Sequence, residues 1–149
     1  PTDQFRFLHL CCGKHHIDGA INVDIRKTSA ADGSDIMEYV DVIADVEDLP
    51  VAQFPESSYD VCLIDPPYSK EDSTRYGVAR LVSPNKVFAQ LARILSPNGW
   101  LLWLDEKFPN FPKESFELKG LINVVSGANR RVRIIAMYQR REASTYHRN

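Results

Sequence analysis

The feature that most constrains the fold is a series of short apolar runs, each rich in Val and Ile and each ended by turn residues. Four of them precede residue 65, over residues 5–10, 20–25, 40–45 and 60–64. Each run is nearly continuous in its apolar character, which is typical of parallel strands that are buried on both faces. The pattern therefore predicts a parallel β-sheet.

The second half of the chain adds a helix and three strands to this prediction. Apolar residues recur at helical spacing over residues 84–95, and the cluster Ser96-Pro97-Asn98-Gly99 ends the helix. A buried strand over residues 100–104 follows, then two strands over residues 117–125 and 131–139 that are joined by a turn. We expect an α/β fold with seven strands, mostly parallel, few helices and an antiparallel hairpin at the C-terminal end.

Size and composition predict one globular domain over residues 1–149. The sequence is 44% hydrophobic and 26% charged, the balance of a folded protein. It contains no apolar stretch long enough to cross a membrane and no signal peptide. Its three cysteines, two of them adjacent, do not suit a secreted disulfide framework, so we expect a cytoplasmic protein.

The charges are distributed unevenly along the chain. Residues 1–75 hold 15 Asp and Glu against 6 Lys and Arg, whereas residues 76–149 hold 5 against 12. A basic C-terminal segment can bind the phosphates of a nucleic acid, or it can guard the edge of a sheet. Both readings stay open for its arginines, which are Arg130, Arg131, Arg133, Arg140, Arg141 and Arg148.

Carboxylates lie at the ends of four of the first five predicted strands. They are Asp24, Asp45, Asp65 and the pair Asp105-Glu106. Ligands of open α/β sheets bind beyond the carboxyl ends of the strands. An acidic rim there suits hydroxyls, amines and a cationic ligand better than it suits phosphates.

The turn after the first strand lacks a phosphate-binding signature. Its sequence, residues 13–19, matches neither G-x-G-x-x-G nor a P-loop. Asp24 follows Gly13 by 11 residues, whereas a dinucleotide site places its ribose-binding acid about 20 residues on, after a full helix. We therefore expect Asp24 to bind a ribose in a cofactor without phosphate, such as S-adenosylmethionine. The alternative is that Asp24 only caps a loop.

The sharpest motif is Asp65-Pro66-Pro67-Tyr68, at the end of the fourth predicted strand. Two prolines fix two φ angles and remove two backbone donors, so the local carbonyls are held rigidly. The carboxylate of Asp65 and the carbonyl of Pro66 can together accept both hydrogens of an exocyclic amine. The Tyr68 ring can stack on the base that carries the amine. Asp-Pro-Pro is also ordinary turn chemistry, which is the alternative explanation.

From about residue 7 to residue 140, the sequence resembles the class I S-adenosylmethionine-dependent methyltransferases. The segments that carry the resemblance are residues 8–13, 22–25, 44–50 and 95–99, together with the closing hairpin. The resemblance implies a Rossmann-like sheet and S-adenosylmethionine as the cofactor. It places the cofactor-binding residues at Cys11, Cys12, Gly13, Asp24, Ile25, Asp45, Val46 and Asp65.

Residues 65–68 are similar to the catalytic motif of the amino-methyltransferases that modify adenine N6 in nucleic acids. The resemblance implies that Asp65, Pro66, Pro67 and Tyr68 are catalytic. The catalytic fold takes up the whole chain, so we expect target recognition from the loop over residues 69–82, from a partner subunit, or from a small substrate. Candidate acceptor contacts are Arg75, Tyr76 and Lys107.

Two other functions remain open. The chain can methylate a small molecule, or it can be an idle cofactor-binding subunit of a larger enzyme. A metal site among His9, Cys11, Cys12, His15 and His16 matches no strong zinc pattern, so we expect no metal. Lys107 belongs to a segment, residues 107–113, whose two phenylalanines we expect to pack on the sheet.

Overall fold

A computed structural model describes residues 5–27, 33–75, 77–78, 81–125 and 131–142. Among these residues it contains seven strands and two helices. In chain order they are β1 (Phe7–Leu10), β2 (Ala20–Asp24), β3 (Val42–Ile43), β4 (Tyr59–Ile64), α1 (Lys70–Arg75), α2 (Pro84–Ile94), β5 (Leu95–Asp105), β6 (Phe116–Val125) and β7 (Val132–Arg140). No helix in these ranges is long and apolar enough to span a membrane.

The strands form one sheet in the order β3-β2-β1-β4-β5-β7-β6. The first five of these are parallel, and β7 is inserted antiparallel between β5 and β6. The predicted architecture of seven mostly parallel strands with a closing antiparallel hairpin is confirmed. The order reverses at β1, so the carboxyl ends of β1, β2 and β4 meet at the switch point where such sheets bind ligands.

One face of the sheet carries the hydrophobic core. The register aligns Leu8, Cys62, Leu101 and Tyr138 across four strands, and all four are buried. Helix α2 packs on this face through Phe88, whose ring lies 5.4 Å from that of Trp103 in a stacked arrangement. Phe88 also makes an edge contact with Tyr138, so one aromatic cluster fixes α2 against β5 and β7.

The opposite face of β4, β5 and β7 is covered less well than the sequence predicts. Alternate residues there, including Val61, Leu63, Leu102 and Met137, are only half-buried. Right-handed crossovers place the β1–β2 and β2–β3 connections on the face opposite α2. Neither connection contains a helix in its described part, so neither supplies a helix to this face.

Three elements differ most from the prediction. Helix α1 lies within the segment predicted as a loop, because its polar sequence shows no apolar periodicity. Strand β3 has two residues rather than six. Strand β5 begins at Leu95, directly after α2, and passes through the predicted breaker cluster. That cluster still turns sharply, since Asn98 has a φ of 64° and a Cβ on Gly99 would lie 2.8 Å from the Ser96 carbonyl oxygen.

Candidate functional site

A cavity of about 470 Å³ opens at the carboxyl ends of the central strands. Its volume lies in the range of sites for small molecules and cofactors. All the residues predicted for the cofactor and for catalysis line it, namely Cys11, Cys12, Gly13, Asp24, Ile25, Asp45, Val46, Asp65, Pro66, Pro67 and Tyr68. Lys14, His15, Arg26, Glu47 and Arg133 also line it, and the prediction did not assign them to this site.

The turn after β1 bends without a helix, as expected. Cys11 and Gly13 have positive φ angles of 57° and 53°, which turn the backbone back towards β2. The Gly13 N–H then donates to Asp24 Oδ2 at 2.9 Å. Burial raises the pKa of Cys12 to about 12 and also raises the pKa of Cys11, so both side chains are neutral thiols that line the cavity.

Asp24, at the end of β2, receives four hydrogen bonds from the residues that the structure describes. The backbone N–H of Gly13 and of Arg26 donate to its two oxygens, each at 2.9 Å. The Arg26 guanidinium also bridges both oxygens, with Nε 3.0 Å from Oδ1 and Nη2 3.1 Å from Oδ2. The Asp24 side chain is only 4% exposed, so this network holds a nearly buried carboxylate in a fixed orientation.

The segment after β3 forms a second wall of the cavity. Asp45 Oδ1 accepts the backbone N–H of Glu47 at 2.9 Å, which is a local turn, and Val46 between them is buried. The Glu47 carboxylate accepts the Ser83 N–H at 2.6 Å and lies 3.4 Å from Lys86 Nζ. Glu47 therefore ties this wall to the first turn of α2.

Asp65 follows β4 and lies at the other end of the cavity. The Tyr68 hydroxyl donates a short hydrogen bond to Asp65 Oδ1, and Arg133 Nη1 donates to the Tyr68 hydroxyl oxygen at 2.7 Å. Burial raises the pKa of Asp65, although the Tyr68 hydrogen bond and the charge of Arg133 oppose the increase. Burial and the neighbouring Asp65 raise the pKa of Tyr68, so its hydroxyl keeps its proton at neutral pH.

Arg133 is the site residue that sequence reasoning placed elsewhere, in a general basic segment. Because β7 runs antiparallel to β5, its first residues lie at the carboxyl end of β5 and reach the cavity. The predicted hairpin could have indicated this position. The guanidinium carbon of Arg133 lies 5.6 Å from the centre of the Tyr68 ring, and that of Arg131 lies 5.3 Å from it. Both distances are within cation–π range.

The basic C-terminal segment divides between the two ends of β7. Arg131 pairs with Glu106 near the cavity. At the other end of the strand, Arg140 donates to Ser57 Oγ at 3.1 Å, and Arg141 Nε donates to the Lys113 carbonyl at 2.9 Å. Arg130 and Arg148 lie outside the described residues.

The predicted acceptor contacts are not brought together in the described structure. Lys107 is exposed and does not line the cavity. Arg75 is the last residue of α1, while its side chain and the whole of Tyr76 lie outside what the structure describes. In the segment around Lys107, Phe111 packs on Phe88 and Tyr138 as expected, but Phe108 is 43% exposed, which contradicts the expectation for that ring.

Two of the histidines near β1, His9 and His16, have partners within the protein. His9 Nδ1 lies 3.0 Å from Asn22 Oδ1 in the interior, and burial lowers the pKa of His9. His16 Nδ1 lies 3.3 Å from the Tyr39 carbonyl oxygen. Within the described ranges, no three His, Cys, Asp or Glu side chains are grouped to hold a metal ion.

No protein-family model and no curated protein matches the sequence. Solved structures do match. TrmN from Thermus thermophilus superposes with a TM-score of 0.61 at 13% identity over 92% of this chain, which spans 44% of the TrmN chain. The N-methyltransferase NodS from Bradyrhizobium japonicum WM9, solved with S-adenosyl-L-homocysteine, gives a TM-score of 0.58 at 11% identity. The match covers 93% of this chain and 79% of the NodS chain.

A TehB-like SAM-dependent methyltransferase from Corynebacterium glutamicum gives a TM-score of 0.56 at 11% identity, covering 95% of this chain and 83% of its own. The fold is that of the class I methyltransferases. At these identities the similarity concerns the fold, and the chemistry has to be argued from the residues of the cavity.

Proposed function

We propose that this chain is an S-adenosylmethionine-dependent methyltransferase that methylates an exocyclic amine, most specifically N6 of adenine in a nucleic acid. The observation that carries the proposal is that Asp24 and Asp65 line one cavity. Asp24 is the last residue of β2 and Asp65 follows β4, and these strands are the two neighbours of β1, so the two backbones lie roughly 10 Å apart across the sheet. One ligand can therefore span both carboxylates.

The cavity residues fit the adenosyl part of such a cofactor. Asp24 would accept the ribose hydroxyls, and the Gly13 backbone comes close to it because that residue has no side chain. Ile25 and Val46 would flank the adenine ring, with Asp45 near its amino group. When bound, S-adenosylmethionine would supply an electrophilic methyl group on its sulfonium, and transfer of that group to the amine would leave a neutral thioether.

Asp65 and Pro66 would hold the acceptor amine. The carboxylate of Asp65 and the Pro66 carbonyl accept its two N–H groups, so the nitrogen lone pair points towards the methyl group. Methylation of the neutral amine would leave one positive charge on the nitrogen, and Asp65 would accept the proton that the nitrogen then loses. In the present structure Tyr68 bonds Asp65, so its ring must turn away from Asp65 to stack on the incoming base.

Two features support a nucleic acid as the acceptor. Arg131 and Arg133 place two cations beside Tyr68, where a phosphate next to the target base would lie. A base in a duplex has to be flipped out of the helix to reach Asp65, and an aromatic ring at the entrance of the cavity favours this flipping.

A partner subunit that supplies target recognition is part of this proposal. The three cysteines are free, which suits the reducing cytoplasm.

The test is transfer of a labelled methyl group from S-adenosylmethionine to adenine-containing oligonucleotides, single- and double-stranded DNA and RNA, and to free adenosine. Transfer to an oligonucleotide that weakens as salt increases supports a nucleic acid acceptor. Transfer to free adenosine that is independent of salt favours a small-molecule methyltransferase. Tight S-adenosylhomocysteine binding without transfer to any acceptor favours an idle subunit.

A further inference from the structure

The Arg26 guanidinium occupies the part of Asp24 that a ribose would need. A carboxylate offers about four acceptor positions. All four are filled here, two by backbone N–H groups and two by Nε and Nη2 of Arg26. A ligand hydroxyl therefore cannot bind Asp24 unless a donor leaves.

The backbone donors are fixed, but the guanidinium can leave. Gly13 N and Arg26 N belong to turns that define the cavity floor, whereas the Arg26 side chain is 19% exposed and lines the cavity. If the guanidinium swings out, each oxygen of Asp24 keeps one backbone donor and gains one open position. Two adjacent open positions match the two hydroxyls of a ribose.

We propose that Arg26 is a specificity-determining residue of the cofactor site, which competes with the ribose hydroxyls for Asp24. The inference rests on the proposed role of Asp24. A bidentate guanidinium is displaced well only by a ligand that also offers two adjacent donors. Asp24 and Arg26 together therefore select for an intact ribose diol and set the affinity of the site.

Gly13 provides the space for this arrangement. A Cβ at residue 13 would lie 3.3 Å from Arg26 Nη2, closer than most such contacts. The same residue donates its N–H to Asp24. The glycine therefore allows the guanidinium and the backbone donor to meet on one carboxylate oxygen.

The test is calorimetric titration of S-adenosylhomocysteine into the wild-type chain, Arg26→Met and Arg26→Lys, all at pH 8. Arg26→Met keeps most of the side-chain stem and removes the donors, so it should bind at least about tenfold more tightly than the wild type, the worth of one or two charge-assisted hydrogen bonds. The affinity of Arg26→Lys should lie between those of the wild type and Arg26→Met, because an ammonium does not bind both carboxylate oxygens in the bidentate geometry of a guanidinium.

Arg6→Met is the matched control. Arg6 lies outside the cavity, 3.7 Å from Asp60, and its loss should leave the affinity unchanged. Equal or weaker binding by Arg26→Met, with measurable wild-type binding, overturns the competition. Binding by Arg26→Met but not by the wild type would support the competition most strongly, because the guanidinium would then block the site completely. No binding by any of the chains overturns the proposed cofactor role of Asp24 together with this inference. If Arg26→Met does not fold, the Arg26→Lys result decides.

Discussion

The two carboxylates of the cavity lie at the ends of strands on either side of β1, yet their surroundings differ. Asp24 receives four hydrogen bonds, and a guanidinium neutralises it. Among the residues that the structure describes, Asp65 receives one side-chain hydrogen bond, from Tyr68, and burial raises its pKa. The Asp24 carboxylate is held in place, whereas burial of the charged form of Asp65 costs free energy.

This difference suits two functions, cofactor binding and methyl transfer. A group that binds a cofactor has to be oriented, and a dense network of donors orients it. A group that accepts the hydrogens of a reacting amine has to keep acceptor capacity, which a saturated carboxylate lacks. Changes at the two sites should therefore separate cofactor binding from methyl transfer.

The largest effect is expected for Asp65→Asn. The amide cannot take the proton from the amine and presents a donor where an acceptor is needed, so kcat should fall roughly 10²–10⁴-fold. S-adenosylhomocysteine affinity should stay within a few fold of wild type. Methyl-transfer kinetics and calorimetry measure the two quantities. Turnover at the wild-type rate would remove Asp65 from the chemistry.

Asp24→Asn should show the opposite separation. Loss of the charged acceptor should weaken S-adenosylhomocysteine binding roughly 10–100-fold, since hydrogen bonds to charged groups are stronger than neutral ones. At saturating cofactor, kcat should change little. Asp18→Asn is the control, because the Asp18 side chain is fully exposed and lies outside the cavity. Affinity unchanged in Asp24→Asn would show that its carboxylate only holds the turn.

Much of this comparison follows from the sequence, because strand ends are easy to locate. Apolar runs that stop at Asp24 and Asp65 predict that both lie at the same edge of a parallel sheet, and the cavity is lined by both. The helix α2 was also predictable, because its apolar side recurs with helical period. The short spacing between Gly13 and Asp24 likewise indicates that no full helix follows β1. The order of the strands within the sheet is not fixed by these patterns.

The partners of the two carboxylates could not be predicted in the same way. Arg26 is two residues from Asp24, but its sequence position does not show whether its guanidinium turns back or points to water. Arg133 reaches Tyr68 over 65 positions of sequence, through a hairpin register that periodicity does not fix. The short helix α1 is too polar and too short to produce a periodic signal.

A smaller effect is expected on the pH profile of Tyr68→Phe. The Tyr68 hydrogen bond stabilises the charged form of Asp65, so its loss should raise the pKa of Asp65 further. Methyl transfer needs the carboxylate, so activity falls as pH drops through this pKa. The acid limb of kcat/KM should therefore move to higher pH, while the ring that stacks on the base remains. An acid limb that stays in place or moves to lower pH would show that Tyr68 does not support the charge.

The smallest effect concerns stability and again distinguishes the two carboxylates. Folding raises the pKa of Asp65, so the folded state binds its proton more tightly than the unfolded state does. Its contribution to stability is therefore greatest below the unfolded pKa and is lost as pH rises through the folded pKa. At neutral pH the buried charge costs stability, and Asp65→Asn should raise the melting temperature by roughly 2–4 °C while abolishing most turnover.

Asp24→Asn should instead lower the melting temperature, because that change leaves the Arg26 guanidinium without its ionic partner at Asp24. Melting curves of both variants at pH 7.5 and pH 5 measure the contrast, and the gain for Asp65→Asn should shrink at the lower pH. A loss of stability in both variants would mean that the Tyr68 hydrogen bond outweighs the burial of Asp65.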